Sequence, residues 1–252
     1  MENAMKRKLS KGETVMGAWI SSGSPNSLDL LRNLSFDWFL FDMEHSPISI
    51  ETVGHLVQVL NGSSAAPLVR VGQIDQATFK VVLDAGAQGV IVPLVNTVQE
   101  AEQTVRFCKY PPRGIRGVAG TKAADYGLSL AKYIRSANDE TTIIAQIETP
   151  QAVGNIEQIV AVEGVDVAFV GPSDLTMTMG LVDDRTNPKV VEAMLKVVKA
   201  CDEAGKVAGV MATSIDEAKM AVQRGFRFIA LATDMKYITM GAKAYLEAVG
   251  RT

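Results

Sequence analysis

DWFLFDMEHSPISIETVGHLVQVL, residues Asp37–Leu60, is the stretch on which the fold turns. It opens on an apolar, aromatic run, Trp38–Phe41, of the kind a buried strand requires. It closes on ETVGHLVQVL, whose apolar residues recur at helical spacing. Between the two, Asp42, Glu44 and His45 fall within four positions, and His45 is the first of only two histidines in the chain. Burying that much charge without partners costs several kcal/mol per group. The cluster must therefore meet a counter-charge or face a solvated site. A buried strand that ends in charge and continues into a helix is one β/α unit.

The same unit repeats outward in both directions. Short β-branched apolar runs occur at Thr14–Ile20, Asp37–Glu44, Pro67–Gly72, Gly89–Val95, Thr142–Thr149, Asp166–Gly171, Lys206–Ala212 and Phe226–Asp234, eight in all. Helix-length segments separate them, several opening on Ser, Thr or Asp and closing on Gly. Near-continuous apolar strands suit a parallel sheet covered by helices. Eight units in 252 residues predict an α/β fold, a single closed (β/α)8 TIM barrel over residues 1–252. A doubly wound open sheet is the alternative, but no G-x-G-x-x-G follows the first strand. The longest interruption, YPPRGIRGVAGTKAADYG (Tyr110–Gly127), has the Gly, Pro and basic content of a functional loop.

Composition narrows the function. With 47% hydrophobic residues, 21% charged residues and a net charge of −3, the chain lacks the basic footprint of a nucleic-acid binder. It also lacks a basic amphipathic membrane face, and no apolar run is long enough to span a bilayer. Cys108 and Cys201 lie far apart in helix-like segments, which reads as reduced thiols rather than a disulfide framework. The charged start, MENAMKRKLSKGETV, is not followed by an apolar signal-peptide core. The expectation is a soluble, cytoplasmic protein.

A barrel carries its chemistry where its strands end, and the oddly placed polar residues fall there. Trp19 ends the first strand, Glu44 and His45 the second, Arg70 the third, and Gln146 and Glu148 the fifth, while Ser173 and Asp174 follow the sixth. Each also has a structural reading. Asp42 pairs with a cation on a neighbouring strand, Arg70 is an ion-pair partner, Glu148 caps a helix, and GPSDL is a turn with an N-cap. His55 lies in the helical pattern and reads as structural, and Met177, Met179, Met211, Met235 and Met240 read as packing residues. Coincidence on one rim favours a site. Glu148 and Asp174, from successive units, offer two hard oxygen ligands suited to Mg2+ or Mn2+. Arg70 would balance a substrate carboxylate or a developing enolate, and His45 is the acid/base candidate. A Schiff-base lysine is disfavoured, because Lys206 begins its strand while Lys80 and Lys122 lie in helix and loop. The seventh and eighth strands do not run into a Gly-rich phosphate cradle.

The segments DWFLFDMEHSP, PLVRV, LDAGAQGVIVPLV, KYPPRGIRGV, QIETPQAVGNIEQI and VDVAFVGPSDL resemble, in order and from about Gly17 to Asp234, the metal-dependent (class II) pyruvate aldolases of the HpcH/HpaI aldolase family. The resemblance implies the barrel of the phosphoenolpyruvate/pyruvate superfamily. It also implies reversible cleavage of a 4-hydroxy-2-oxo acid, a dicarboxylate or a deoxy-keto-sugar acid, to pyruvate and an aldehyde. It carries Glu148 and Asp174 over as ligands of Mg2+ (or Mn2+ or Co2+), His45 as acid/base and Arg70 as enolate stabiliser. Trp19, Gln146 and Ser173 would line the pyruvate pocket, with the backbone at Gly171 and Pro172 on the carboxylate. The resemblance further implies a homo-oligomer, a hexamer or trimer, in which a neighbouring subunit completes the site, so Asp84 becomes a candidate to orient a histidine across an interface. Lys122 stands where relatives often carry arginine, which removes a bidentate fork. The competing readings are a related carbon–carbon lyase or decarboxylating synthase acting on oxaloacetate, and a non-catalytic binding barrel.

Overall fold

The computed structural model describes residues 2–182 and 184–251. Strands β1 (Val15–Ile20), β2 (Trp38–Asp42), β3 (Ala66–Arg70), β4 (Gly89–Val92), β5 (Thr142–Ile147), β6 (Val167–Val170), β7 (Val207–Ala212) and β8 (Phe228–Thr233) close into a parallel barrel in chain order. The expected barrel and all eight expected strands are present. The real strands stop short of several expected ends: β2 releases the chain before Glu44 and β5 before Glu148. The charges leave the sheet just where they reach the rim.

Helix α1 (Ala4–Ser10) precedes β1; α2 (Pro25–Leu31), α3 (Ile50–Val59), α4 (Gln76–Asp84), α5 (Val98–Cys108), α6 (Leu130–Glu140), α7 (Pro150–Gly154), α8 (Ile156–Ala161), α9 (Pro172–Thr178), α10 (Pro188–Glu203) and α11 (Ile215–Gln223) run between strands, and α12 (Asp234–Ala248) follows β8. Their starts follow local chemistry. The side chains of Ser49, Asp75, Thr97 and Thr149 accept the free N–H groups of the first turns of α3, α4, α5 and α7. Thr97 and Glu100 complete a reciprocal capping box. His55 sits on the exposed face of α3, on the exterior of the barrel where its helical pattern places it.

Alternation along each strand sorts the core into two layers. Trp38, Leu40, Leu68, Ile91, Ile144, Val167, Phe169 and Phe228 fill the interior, joined at the N-terminal end by Met5 and Leu9 of α1. Phe39, Phe41, Val69, Val90, Ile143 and Val170 belong to the larger cluster beneath the helices. Trp38 stacks on Phe228 with ring centroids 4.3 Å apart and planes within 8°. Gly17 makes that possible, since a Cβ there would lie 1.9 Å from Trp38 Cδ2.

Helix α12 departs from this plan. Met235, Ile238, Met240 and Leu246 are about half exposed, and Tyr245 more so. Beside it an apolar groove of about 470 Å3 is lined by residues including Met16, Phe36, Ile215, Val222, Leu231 and Tyr237. Of the methionines read as packing residues, Met179 and Met211 pack against the core. Met177, Met235 and Met240 do not, because α9 and α12 turn those positions to solvent. Among the described residues no helix is long and apolar enough to cross a membrane.

The Gly17–Trp38 fit yields a direct expectation. Gly17→Ala overpacks the barrel interior and destabilises the protein by about 1–3 kcal/mol or more. Thermal melts should fall by ~2–4 °C per kcal/mol for a chain of this size; an unchanged melting temperature would show that the interior yields freely around Trp38.

Candidate active site

Register sets the first element of the site. Asp42, the last residue of β2, is the Cα partner of Arg70, the last residue of β3. Their side chains form a bidentate pair, Nε to Oδ1 and Nη2 to Oδ2, both 2.8 Å. Arg70 Nη1 meets Glu44 Oε2 at 3.0 Å. Three of the five guanidinium N–H groups are thus engaged and two remain. The guanidinium carbon sits 4.9 Å from the ring centroid of Trp19 at the end of β1. Asp42 also accepts the N–H groups of Glu44 (3.1 Å) and His45 (3.3 Å), which shapes the chain as it leaves β2. Burial pushes the Asp42 carboxyl up, but Arg70's hydrogen bonds and charge, with those two N–H groups, outweigh it and hold the group below the usual carboxylate range.

The opposite wall of the rim is acidic. Glu148, one residue past β5, is only 4% exposed. Its Oε1 accepts the Leu94 N–H at 2.8 Å and its Oε2 accepts Gln146 Nε2 at 2.7 Å, both neutral donors. Gln146 Oε1 is buried without a partner. A Cβ on Gly171 would stand 3.0 Å from Glu148 Oε2, so the bare backbone after β6 gives the carboxylate its room. Asp174 lies in the first turn of α9, and Thr178 of the same helix donates to the Glu148 carbonyl at 2.8 Å, tying α9 to the end of β5. Burial raises Glu148, the Leu94 N–H opposes it, and the charges of Asp174 and Glu44 raise it further. Glu44 is raised too, by burial first, against Arg70 and His45 and with Asp42 and Asp174. Three carboxyl groups from three β/α units feel one another across this rim.

His45 is well exposed, its side chain at 68%, with Nε2 4.0 Å from Glu44 Oε2. Ser173 is exposed beside Asp174 and its hydroxyl takes a short hydrogen bond from Arg185 Nη2. Pro172 is buried as the first residue of α9. Trp19, Arg70, Glu44, His45, Gln146, Glu148, Gly171, Ser173 and Asp174 therefore all belong to the C-terminal rim.

Asp84 and Lys122 do not join them within this chain. Asp84 ends α4, where the helix has returned to the N-terminal rim, and Oδ1 accepts fully buried Arg116 Nη2 at 2.6 Å. Arg116 lies between Tyr110 and Tyr133, 4.7 and 5.6 Å from their ring centroids. The Tyr110–Gly127 interruption runs along this same end: Lys122 Nζ is 3.5 Å from Asn61 Oδ1, in a polar pocket with Gly86 and Gln88. The loop is far from its own barrel's mouth because α5 carries the chain down before it begins.

Leu94 and Arg185 were not singled out by the sequence. Leu94 contributes a backbone N–H, which no side-chain pattern announces. Arg185 lies in the segment before α10, and its partners Ser173 and Thr213 come from different units.

A (β/α)8 barrel whose rim gathers acidic oxygen donors, a braced guanidinium and an exposed imidazole is equipped as a carbon–carbon lyase for small oxo acids. The chain belongs to the HpcH/HpaI aldolase/citrate lyase family, whose model matches residues 15–240. It is 34% identical over 244 residues to a hydroxypyruvate/pyruvate aldolase of Roseobacter denitrificans, covering 96% of this chain and 95% of that protein. It is 36% identical over 251 residues to a 4-hydroxy-2-oxo-heptane-1,7-dioate aldolase of Shigella sonnei, covering 99% and 96%. A crystal structure of an HpcH/HpaI aldolase/citrate lyase family protein from Burkholderia cenocepacia superposes with a TM-score of 0.95 at 32% identity, over 98% of this chain and 99% of that one.

Removing Asp42's charge tests the brace. Asp42→Asn leaves a buried guanidinium with only Glu44 and should cost about 3 kcal/mol in urea unfolding. Because Asp42's folded pKa is depressed, its contribution is complete above the unfolded carboxylate value of about 3.9 and is lost as pH falls through the lower folded value. The gap between wild type and variant should stay constant from about pH 5 to 8 and narrow below about pH 4.

Proposed function

We propose that this chain, a single barrel domain, is a divalent-cation-dependent pyruvate aldolase. It reversibly cleaves a 4-hydroxy-2-oxo acid to pyruvate and an aldehyde. The observation that carries the reading is buried Glu148, hydrogen-bonded only to neutral donors and raised by burial first and then by the charges of Asp174 and Glu44. Crowded carboxylates of this kind are relieved by a cation. Among the described residues no group of three or more His, Cys, Asp or Glu side chains is placed to hold a metal ion by itself. Two ligands, Glu148 and Asp174, suit Mg2+, Mn2+ or Co2+ with water and substrate oxygens completing the shell. The ion, when bound, supplies Lewis acidity to the keto group of the substrate.

The chain's own groups do the rest. Trp19 walls the pocket beneath Arg70, and Gln146, Ser173 and the backbone at Gly171 and Pro172 hold the pyruvyl end. His45, open to water, takes the proton from the 4-hydroxyl. The C3–C4 bond then breaks, its electron pair passes to the enolate, and the aldehyde departs. Arg70's two spare N–H groups stabilise the enolate oxygen, and a proton returned to C3 completes pyruvate. In the synthetic direction the steps reverse. The relatives' names bring both a dicarboxylate substrate and hydroxypyruvate into range, and a deoxy-keto-sugar acid fits the same chemistry.

We further propose a homo-oligomer, a hexamer or trimer. Half-exposed apolar side chains on α12 and the apolar groove beside it support association. Asp84 and Lys122, both at the N-terminal rim, would then act on a second copy, Asp84 orienting that copy's catalytic histidine. Buried free cysteines are in keeping with the cytoplasm.

Incubating the protein with pyruvate in D2O, with and without Mn2+, tests the core of this reading. Deuterium should enter the methyl group only with the cation; a rate unaffected by chelator would remove the cation from the reaction. Glu148→Ala should abolish Mn2+ binding, and His45→Ala should retain it while slowing turnover by about 100-fold or more. Cation and proton compete for Glu148, whose folded pKa is raised. Mn2+ affinity should therefore begin to fall at a pH above the ordinary glutamate value of about 4.3, and continue falling as the solution is acidified.

A further inference from the structure

We propose that Asn96 is a positioning residue for Glu148, acting through a strained backbone turn at Leu94; this rests on the cation-ligand role given to Glu148 above. Leu94 adopts φ 53°, the left-handed region that a side chain with a Cβ avoids. Such a conformation persists only where its surroundings over-determine it. Here it follows Pro93 at the end of β4, and its product is specific: the Leu94 N–H reaches Glu148 Oε1 at 2.8 Å. The next N–H, of Val95, reaches the Gln146 carbonyl at 3.3 Å. The turn is thus docked on both sides of Ile147, the last residue of β5.

Asn96 supplies the over-determination. Its Nδ2 donates to the Leu94 carbonyl at 2.9 Å, while its Oδ1 accepts a short hydrogen bond from the Thr149 hydroxyl. Its backbone is also held, the N–H by Glu100 Oε2 at 2.7 Å and the carbonyl by Asn155 Nδ2 at 2.8 Å. Thr149 directly follows Glu148 and caps α7 by accepting the Ala152 N–H at 3.0 Å. One amide therefore joins the strained residue that donates to Glu148 and the residue next to Glu148 in the chain. Donor and acceptor ends of the amide have different partners, so neither Ala nor Asp reproduces it. Because Leu94 and Gln146 each give one hydrogen bond to one oxygen, the carboxylate is aimed while both oxygens keep lone pairs for a cation.

Mn2+ titration calorimetry on the full chain, paired with thermal melts, tests this. Asn96→Ala should weaken Mn2+ binding by about 10-fold or more, the scale seen when a support of a metal ligand is removed. Asn96→Asp, of the same size, should weaken it at least as much, because a carboxylate oxygen then faces the Leu94 carbonyl. Adding Leu94→Gly to Asn96→Ala should recover most of the affinity, since glycine takes positive φ without support. A role confined to loop bracing would lower the melting temperature and leave Mn2+ affinity unchanged. Wild-type affinity in both Asn96 variants, or no recovery in the double variant, overturns the inference. Glu148→Ala separates it from its premise: if that variant binds Mn2+ normally, the ligand role fails and the inference with it. If Glu148→Ala abolishes binding while the Asn96 variants retain it, the positioning role alone fails.

Discussion

The site depends on placing like charges together at the end of a parallel barrel and keeping them ionisable. Glu44, Glu148 and Asp174 come from three β/α units; burial raises Glu44 and Glu148, the charge of Asp174 raises both further, and that of Glu44 adds to Glu148. Left alone, burial would drive Glu44 and Glu148 toward their neutral forms. Two features resist this. Arg70, pinned by Asp42 through strand register, brings permanent positive charge to the Glu44 side. Neutral donors from the β4 turn and from Gln146 hold Glu148 without discharging it. The remaining negative potential is what a divalent ion would satisfy.

Barrel topology explains why one chain holds these groups and yet leaves others out. Each strand delivers its last residues to the same rim, so Asp42 and Arg70 meet as register neighbours and Glu148 and Asp174 as neighbours in unit order. Each returning helix delivers its last residues to the other rim. Asp84 and the Tyr110–Gly127 interruption follow helices, and they share the N-terminal end with Arg116. A substrate bound at the mouth of one barrel can meet those residues only on a second copy. The apolar face that α12 leaves exposed makes such company physically reasonable, because those side chains and the nearby groove both need cover.

Much of the fold was legible because parallel strands buried on both faces are written as continuous apolar runs. The charges that end them, at Asp42–His45, Arg70 and Glu148, could be assigned to the rim by position alone. Pairing was less legible. Asp42 had two open readings, as a site residue or as an ion-pair partner, and the structure gives it the second role in support of Arg70. Met177, Met235 and Met240 look like core residues in one dimension, but exposure is decided by where α9 and α12 lie. Leu94 was invisible, since its contribution is a backbone N–H in a conformation that sequence does not favour. Arg185 and Ser173 meet only because the loop before α10 folds back over the rim.

The most direct measurement is a crystal structure of the protein grown with Mn2+ and oxalate, a mimic of the pyruvate enolate, with the ion located by anomalous scattering. One peak bridged by carboxylate oxygens of Glu148 and Asp174, with Arg70 toward the oxalate, is the predicted result. A peak elsewhere, or these two carboxylates turned away from an ordered ion, would contradict the central claim.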